Sequence, residues 1–201
     1  MPIERDQITA VILAGGRGRR MGGEDKGLLE LNGRPLIKHV LTLIAPQANS
    51  VIINANRNLD RYAGFGYQVV RDDLQGFQGP LAGFSAAMAA ATTPYIVTIP
   101  CDGPLLPVDY IQTMIDTLEH SEAELAVAHS GERLQPVYAL LPCSLNASLL
   151  DYLENGDRKI DLWYQTRRMA IANFSRCPEA FRNINTPAER DLLMQDAGRN
   201  R

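Results

Sequence analysis

Residues 13–28, LAGGRGRRMGGEDKGL, mix glycines and cations in a way that suits a phosphate chain. Gly15, Gly16, Gly18, Gly22, Gly23 and Gly27 stand among Arg17, Arg19, Arg20 and Lys26. Glycine lets the backbone bend tightly and brings its N–H groups close to a ligand. Successive free N–H groups form an anion-binding concavity, and Arg and Lys add charge-assisted donors for phosphate oxygens. The stretch is not a P-loop, which needs Ser or Thr after its lysine, because Gly27 follows Lys26. Nor is it a dinucleotide fingerprint. Counting from Gly16, Met21 stands where the third glycine belongs. The plainer reading is a solvated, Arg-rich surface loop. The apolar run Ile8–Leu13 just before it favours the phosphate site, since a strand feeding such a loop is how an α/β protein presents one.

A second segment, YIVTIPCD at 95–102, is an apolar run that ends in Pro100 and then Asp102. A carboxylate just past a strand end can hold Mg²⁺ against phosphates. It can also simply cap a turn with Gly103-Pro104. Asn54 closes the run Val51-Ile52-Ile53. Its amide suits a base or ribose and equally suits a strand-end turn. Asp72 and Asp73 close the Tyr67–Val70 run, as ligands of ribose, base or metal or as turn acids. Gln78-Gly79-Pro80 opens a helix whose N-terminus favours anions. Asn183 and Asn185 alternate before Thr186-Pro187, which places both on one side of a short strand ahead of a capped helix. They can bind a polar ligand or satisfy backbone at the helix start. His39, His120 and His129 form no Ser/His/Asp or Cys/His arrangement.

These residues need a scaffold. Apolar runs at Ile8–Leu13, Ser50–Asn54, Tyr67–Val70, Tyr95–Ile99 and Glu124–Ala128 alternate with helical patterns at Pro35–Ala45, Leu81–Ala91 and Asp109–Glu119. The alternation predicts an α/β fold, a three-layer αβα sandwich on a mostly parallel, Rossmann-like sheet. Asn32-Gly33 predicts a tight turn before the first helix. Further on come a strand at Arg133–Leu141, a helix at Ser144–Asn155, a strand at Met169–Phe174 and a helix at Thr186–Met194. With 201 residues and no Ser- or Pro-rich linker, one domain over 1–201 is expected. Its nucleotide half would be about 1–105 and its acceptor half about 106–195.

The net charge of −3 does not suggest a nucleic-acid partner. The N-terminal apolar run is too short for a signal peptide or a membrane span. Cys101, Cys143 and Cys177 match no zinc pattern or disulfide framework, which points to a reducing, cytoplasmic location.

Taken together, LAGGRGRRMGGEDKGLLELNGRPL, VIINAN, QGPLAG, IPCDGPLLP and NINTPAE resemble the GT-A, Rossmann-like nucleotidyltransferases, in particular the molybdenum cofactor guanylyltransferases. The resemblance implies transfer of GMP from Mg·GTP to the terminal phosphate of molybdopterin, with pyrophosphate released. Related cytidylyltransferases carry an LAAG form, so Gly15-Gly16 favours GTP. On this resemblance Leu13, Ala14, Gly15 and Gly16 contact the nucleotide, Arg20 and Lys26 hold its phosphates, and Asn54 and Asp72 help bind the nucleoside. Asp102 holds Mg²⁺, and Asn183 and Asn185 belong to the pterin side. Catalysis would rest on Asp102, Arg20 and Lys26 in a monomer that meets molybdenum-insertion and molybdoenzyme-maturation proteins. Many relatives have Ser or Thr after the metal carboxylate, where this chain has Gly103. Two alternatives are another nucleotidyltransferase, such as a sugar-phosphate guanylyltransferase, and a non-catalytic nucleotide-binding module.

Overall fold

The structure, a computed structural model, describes residues 2–16, 25–72 and 79–184. Strand β1 (Ile8–Leu13) is buried along nearly its whole length. It forms the centre of a sheet because both of its neighbours run parallel to it. On one side lies β4 (Ser50–Asn54), with Leu13 level with Asn54. On the other lies β6 (Tyr95–Pro100), with Leu13 level with Pro100. Parallel strands covered on both faces read as continuous apolar runs, and that is why these three were legible in the sequence. Beyond β4 runs β5 (Gln68–Val70), also parallel.

The other half of the sheet departs from the parallel pattern at one strand. β8 (Leu134–Pro142) lies antiparallel between β6 and β7 (Leu125–His129), and β9 (Met169–Asn173) pairs parallel with β7 at the far edge. The seven strands are ordered β5-β4-β1-β6-β8-β7-β9. The register of β8 slips between Val127 and Ala128, whose partners are Ala139 and Gln135. The intervening residues of β8 form a bulge next to the end of β6. A separate hairpin pairs β2 (Glu30–Leu31) with β3 (Arg34–Pro35). Its turn is the expected Asn32-Gly33, with φ of 52° and 72°, the positive pair a tight hairpin demands.

Helices cover both faces. Ala10 and Ile12 point to one face with α1 (Leu36–Ile44) and α4 (Tyr110–Glu119), whose Ile37, Val40, Ile44, Ile111 and Met114 bury against them. Val11 points the other way, as strand alternation requires, towards Leu81, Phe84 and Met88 of α3 (Pro80–Ala90). α3 is buried from Leu81 to Met88 and is capped outwards by α5 (Asn146–Glu154), to which Ser85 bonds through Asn146 at 2.7 Å. Each large apolar side chain so buried stabilises the fold by about 1.5–3 kcal/mol.

Two short helices have no counterpart in the sequence pattern: α2 (Leu59–Ala63) and α6 (Ile160–Gln165). The helix expected at Thr186–Met194 lies outside the described residues. The short strand expected at Asn183 is not formed by residues 182–184, which follow a 3₁₀ turn, Pro178–Phe181, as irregular chain. Ile184 N–H bonds the Asp102 carbonyl at 2.9 Å and lays this segment along the end of β6.

Candidate active site

The parallel register decides which residues meet. Because β1, β4 and β6 finish level, Ala14, Asn54 and Cys101-Asp102 share the carboxyl edge of the sheet. Backbone bonds hold that edge together: Ala14 N–H to the Asn54 carbonyl at 2.8 Å and Cys101 N–H to the Leu13 carbonyl at 3.1 Å. Ala55 N–H to the Val70 carbonyl, at 2.9 Å, brings Asp72 to the same edge.

Two clusters of side chains stand there. In the first, the Lys26 ammonium lies 3.2 Å from Asp102 Oδ2, with side chains 25% and 10% exposed. Positions 76 residues apart in sequence thus meet as a partly buried ion pair. In the second, Asp72 accepts from Asn54 Nδ2 at 2.9 Å and from Asn56 Nδ2 at 2.7 Å, and its own N–H returns a bond to Asn56 Oδ1 at 3.0 Å. Asn54 is buried. Arg57 donates to the Gly16 carbonyl at 3.1 Å and ties the end of the described glycine segment to the same cluster.

Of the residues singled out in the sequence, Leu13, Ala14, Gly15, Gly16, Lys26, Asn54, Asp72 and Asp102 thus gather along one edge. Asn183, next to the Ile184 that bonds the Asp102 carbonyl, accepts at its Oδ1 from the Tyr138 hydroxyl at 3.4 Å. Arg20, Asp73, Gln78 and Asn185 lie outside the described residues. His39 sits in α1 and bonds the Leu31 carbonyl at 2.9 Å, a structural use. Trp163 and Tyr164 are buried packing residues. Arg167 beside them is engaged by Ser148 and Glu124.

Sequence reasoning overlooked Asn56, Arg57 and Tyr138, and gave Asp25 no task. The signal for Asn56 was available: Asn54-Ala55-Asn56 has the same alternation that drew attention to 183 and 185.

The chemistry at this edge is electrostatic. Burial, then the Asp102 charge, raises the Cys101 thiol well above its ordinary pKa, which favours its neutral form. Asp102 is a single carboxylate, and no group of three or more His, Cys, Asp or Glu able to hold a metal occurs among the described residues. That donor set fits a hard divalent ion that completes its shell with water and phosphate oxygens. It does not fit a metal that needs an all-protein cage.

Comparison with known proteins fixes the family. The MobA-like NTP transferase domain matches residues 10–169. Molybdenum cofactor guanylyltransferase of Shewanella sediminis is 51% identical over 189 residues, covering 94% of this chain and 96% of the relative. This chain belongs to the molybdenum cofactor guanylyltransferase family. It is a nucleotidyltransferase. The guanylyltransferase of Shewanella sp. strain ANA-3 is 52% identical over 187 residues, 93% of this chain and 95% of its own. Among solved structures, molybdopterin-guanine dinucleotide biosynthesis protein A from Archaeoglobus fulgidus superposes with a TM-score of 0.79 at 20% identity, over 95% of this chain and 99% of that one. At that identity the likeness speaks for the fold. No helix among the described residues is long and apolar enough to cross a membrane.

Proposed function

We propose that this guanylyltransferase-family chain transfers GMP from Mg·GTP to the terminal phosphate of molybdopterin, forming molybdopterin guanine dinucleotide and releasing pyrophosphate. The supporting observation is the 3.2 Å approach of Lys26 to Asp102 at the shared end of β1 and β6. A cation and a carboxylate this close support a reading in which both serve one triphosphate, Lys26 on its phosphates and Asp102 on the metal. An oxygen of the molybdopterin phosphate bonds the α-phosphorus of GTP, and the bond from that phosphorus to the α,β-bridging oxygen breaks. The electron pair leaves on pyrophosphate. The acceptor is already an anion, so no strong base is required.

What remains is charge repulsion and alignment, which oriented donors and cations reduce. Lys26 and Arg20 neutralise the β- and γ-phosphates. Asp102 holds Mg²⁺, which when bound supplies positive charge at the phosphate oxygens. Leu13, Ala14, Gly15 and Gly16 line the guanine nucleotide, with Asn54 and Asp72 on the nucleoside. Asn183 and Asn185 are assigned to binding the pterin. Nucleotide is handled by about 1–105 and acceptor by about 106–195, in the cytoplasm, where molybdenum-insertion and molybdoenzyme-maturation proteins are the expected partners.

The test is pyrophosphate release by purified protein with Mg²⁺, molybdopterin and GTP, CTP or ATP. Release with GTP well above that with the other two is expected, because a site that pairs guanine's exocyclic groups leaves buried partners unpaired with a different base. Equal release with CTP, or Mg·GTP binding without release, contradicts the proposal.

A further inference from the structure

We infer that Tyr62, acting through Asp25, is a positioning residue that aims Lys26 at the nucleotide phosphates. Asp25 immediately precedes Lys26 and is 9% exposed. Its carboxylate accepts from the Tyr62 hydroxyl at 2.5 Å and from Asn58 Nδ2 at 3.0 Å. Its carbonyl accepts from Leu28 N–H at 3.0 Å and closes the 3₁₀ turn Lys26–Leu28. The residue that starts the lysine turn is therefore fastened by both its side chain and its backbone.

Tyr62 is fully buried on α2. Burial, then the neighbouring Cys101 and Asp25, pushes its hydroxyl well above the ordinary phenol range, so it remains a donor. The same hydroxyl also abuts the other side of the lysine. A Cβ added at Gly27 would lie 2.6 Å from the Tyr62 oxygen and 3.3 Å from both Cβ and Sγ of Cys101. Cys101 precedes Asp102. One hydroxyl thus touches the chain on both sides of Lys26, at the place where that chain packs on the end of β6. Asn58, the second donor, holds the left-handed backbone at φ 50°, a conformation that asparagine tolerates better than most residues.

A core that needed only filling would not place a carboxylate here. Burying a charge costs free energy unless it is well hydrogen-bonded, and replacing buried ionic groups by apolar ones of like volume is often neutral or stabilising. Two neutral donors give Asp25 a fixed direction without cancelling its charge. The lysine beside it inherits that direction.

The inference rests on the proposed use of Lys26 at the nucleotide phosphates, and a double-mutant cycle separates the two. Tyr62→Phe keeps the ring and removes the donor; Lys26→Met removes the cation. Both kcat/KM for GTP and the Mg·GTP dissociation constant are measured in all four proteins, and circular dichroism confirms folding. With Lys26 present, Tyr62→Phe is expected to lower kcat/KM about tenfold, the scale of a small misplacement of a binding group, and to weaken Mg·GTP binding. With Lys26→Met already in place, neither quantity is expected to fall further. Equal losses in both backgrounds, as a purely structural tyrosine would give, overturn the inference, and so does no loss in either. If wild type binds Mg·GTP without turnover, the reaction is wrong and the affinity cycle alone judges the brace. If Tyr62→Phe does not fold, Asn58→Gly takes its place, since it removes the second donor and keeps the left-handed backbone available. The same coupling to Lys26 supports the inference, and its absence overturns it.

Discussion

Gly103 sits directly after Asp102, and a Cβ there would run into the Tyr138 hydroxyl. Tyr138 is itself fixed: it is 1% exposed, packs edge-on against Phe181 at 4.9 Å and reaches Asn183 with its hydroxyl. The missing side chain at 103 and the tyrosine at 138 are thus two halves of one packing arrangement. Gly103→Ser is expected to destabilise the chain by about 1–3 kcal/mol, the usual cost of overpacking, and Tyr138→Phe in the same chain is expected to return much of the loss. Urea unfolding of the two single variants and the double variant measures this; simple addition of the two losses contradicts it. Asp102→Asn conserves shape and removes the charge that pairs with Lys26. Turnover is expected to fall a hundredfold or more, on the order of losing one electrostatic contact at a reacting phosphate, while the melting temperature stays close to wild type. Near-normal turnover with magnesium present contradicts the role given to Asp102.

At the scale of elements, β8 shows where sequence patterns stop being informative. β1, β4 and β6 were legible because buried parallel strands leave uninterrupted apolar runs. Asn32-Gly33 was legible because few other dipeptides accept two positive φ angles. An antiparallel strand in the middle of the same sheet reads no differently, so the reversal of β8 could not be foreseen. α2 and α6, of five and six residues, are too short for a helical period to register. For the same reason Tyr62, carried on α2, gave no sign of its task. The site was partly legible because motif residues fall at strand ends, but the meeting of Lys26 with Asp102 is a tertiary fact that no local pattern contains. The bulge in β8 depends on Thr98 of β6. Its hydroxyl donates to the Val137 carbonyl at 2.7 Å and accepts from Ala139 N–H at 3.3 Å, while Tyr164 donates to the Pro136 carbonyl at 2.8 Å. Thr98→Val keeps the shape and leaves buried groups unpaired. A loss of about 1–3 kcal/mol is expected in urea unfolding; an unchanged midpoint means that the bulge is held by other contacts.

For the whole molecule, wholly and partly buried acids with raised pKa values are expected to set the response to alkali. Burial raises the Cys143 thiol from 9.0 to about 11 and lifts Cys101, Tyr110 and Tyr138 above their ordinary values. Each folded pKa lies above its unfolded one. The stability these groups contribute is therefore fully present below the unfolded pKa and is lost as pH rises through the folded pKa. The urea midpoint is expected to hold steady to about pH 8 and then to decline from about pH 9 upwards, where unfolded thiols ionise first; a midpoint unchanged to pH 11 contradicts this. The central claim is also a whole-molecule one: the glycine-arginine segment, Lys26 and Asp102 serve one triphosphate at the carboxyl edge of the sheet. A crystal structure of the protein with Mg·GTP tests it most directly. The expected result is guanine beside Leu13–Gly16, phosphates on Lys26 and the metal on Asp102. Mg·GTP bound away from that edge, or at it without contact to Lys26 and Asp102, contradicts the claim.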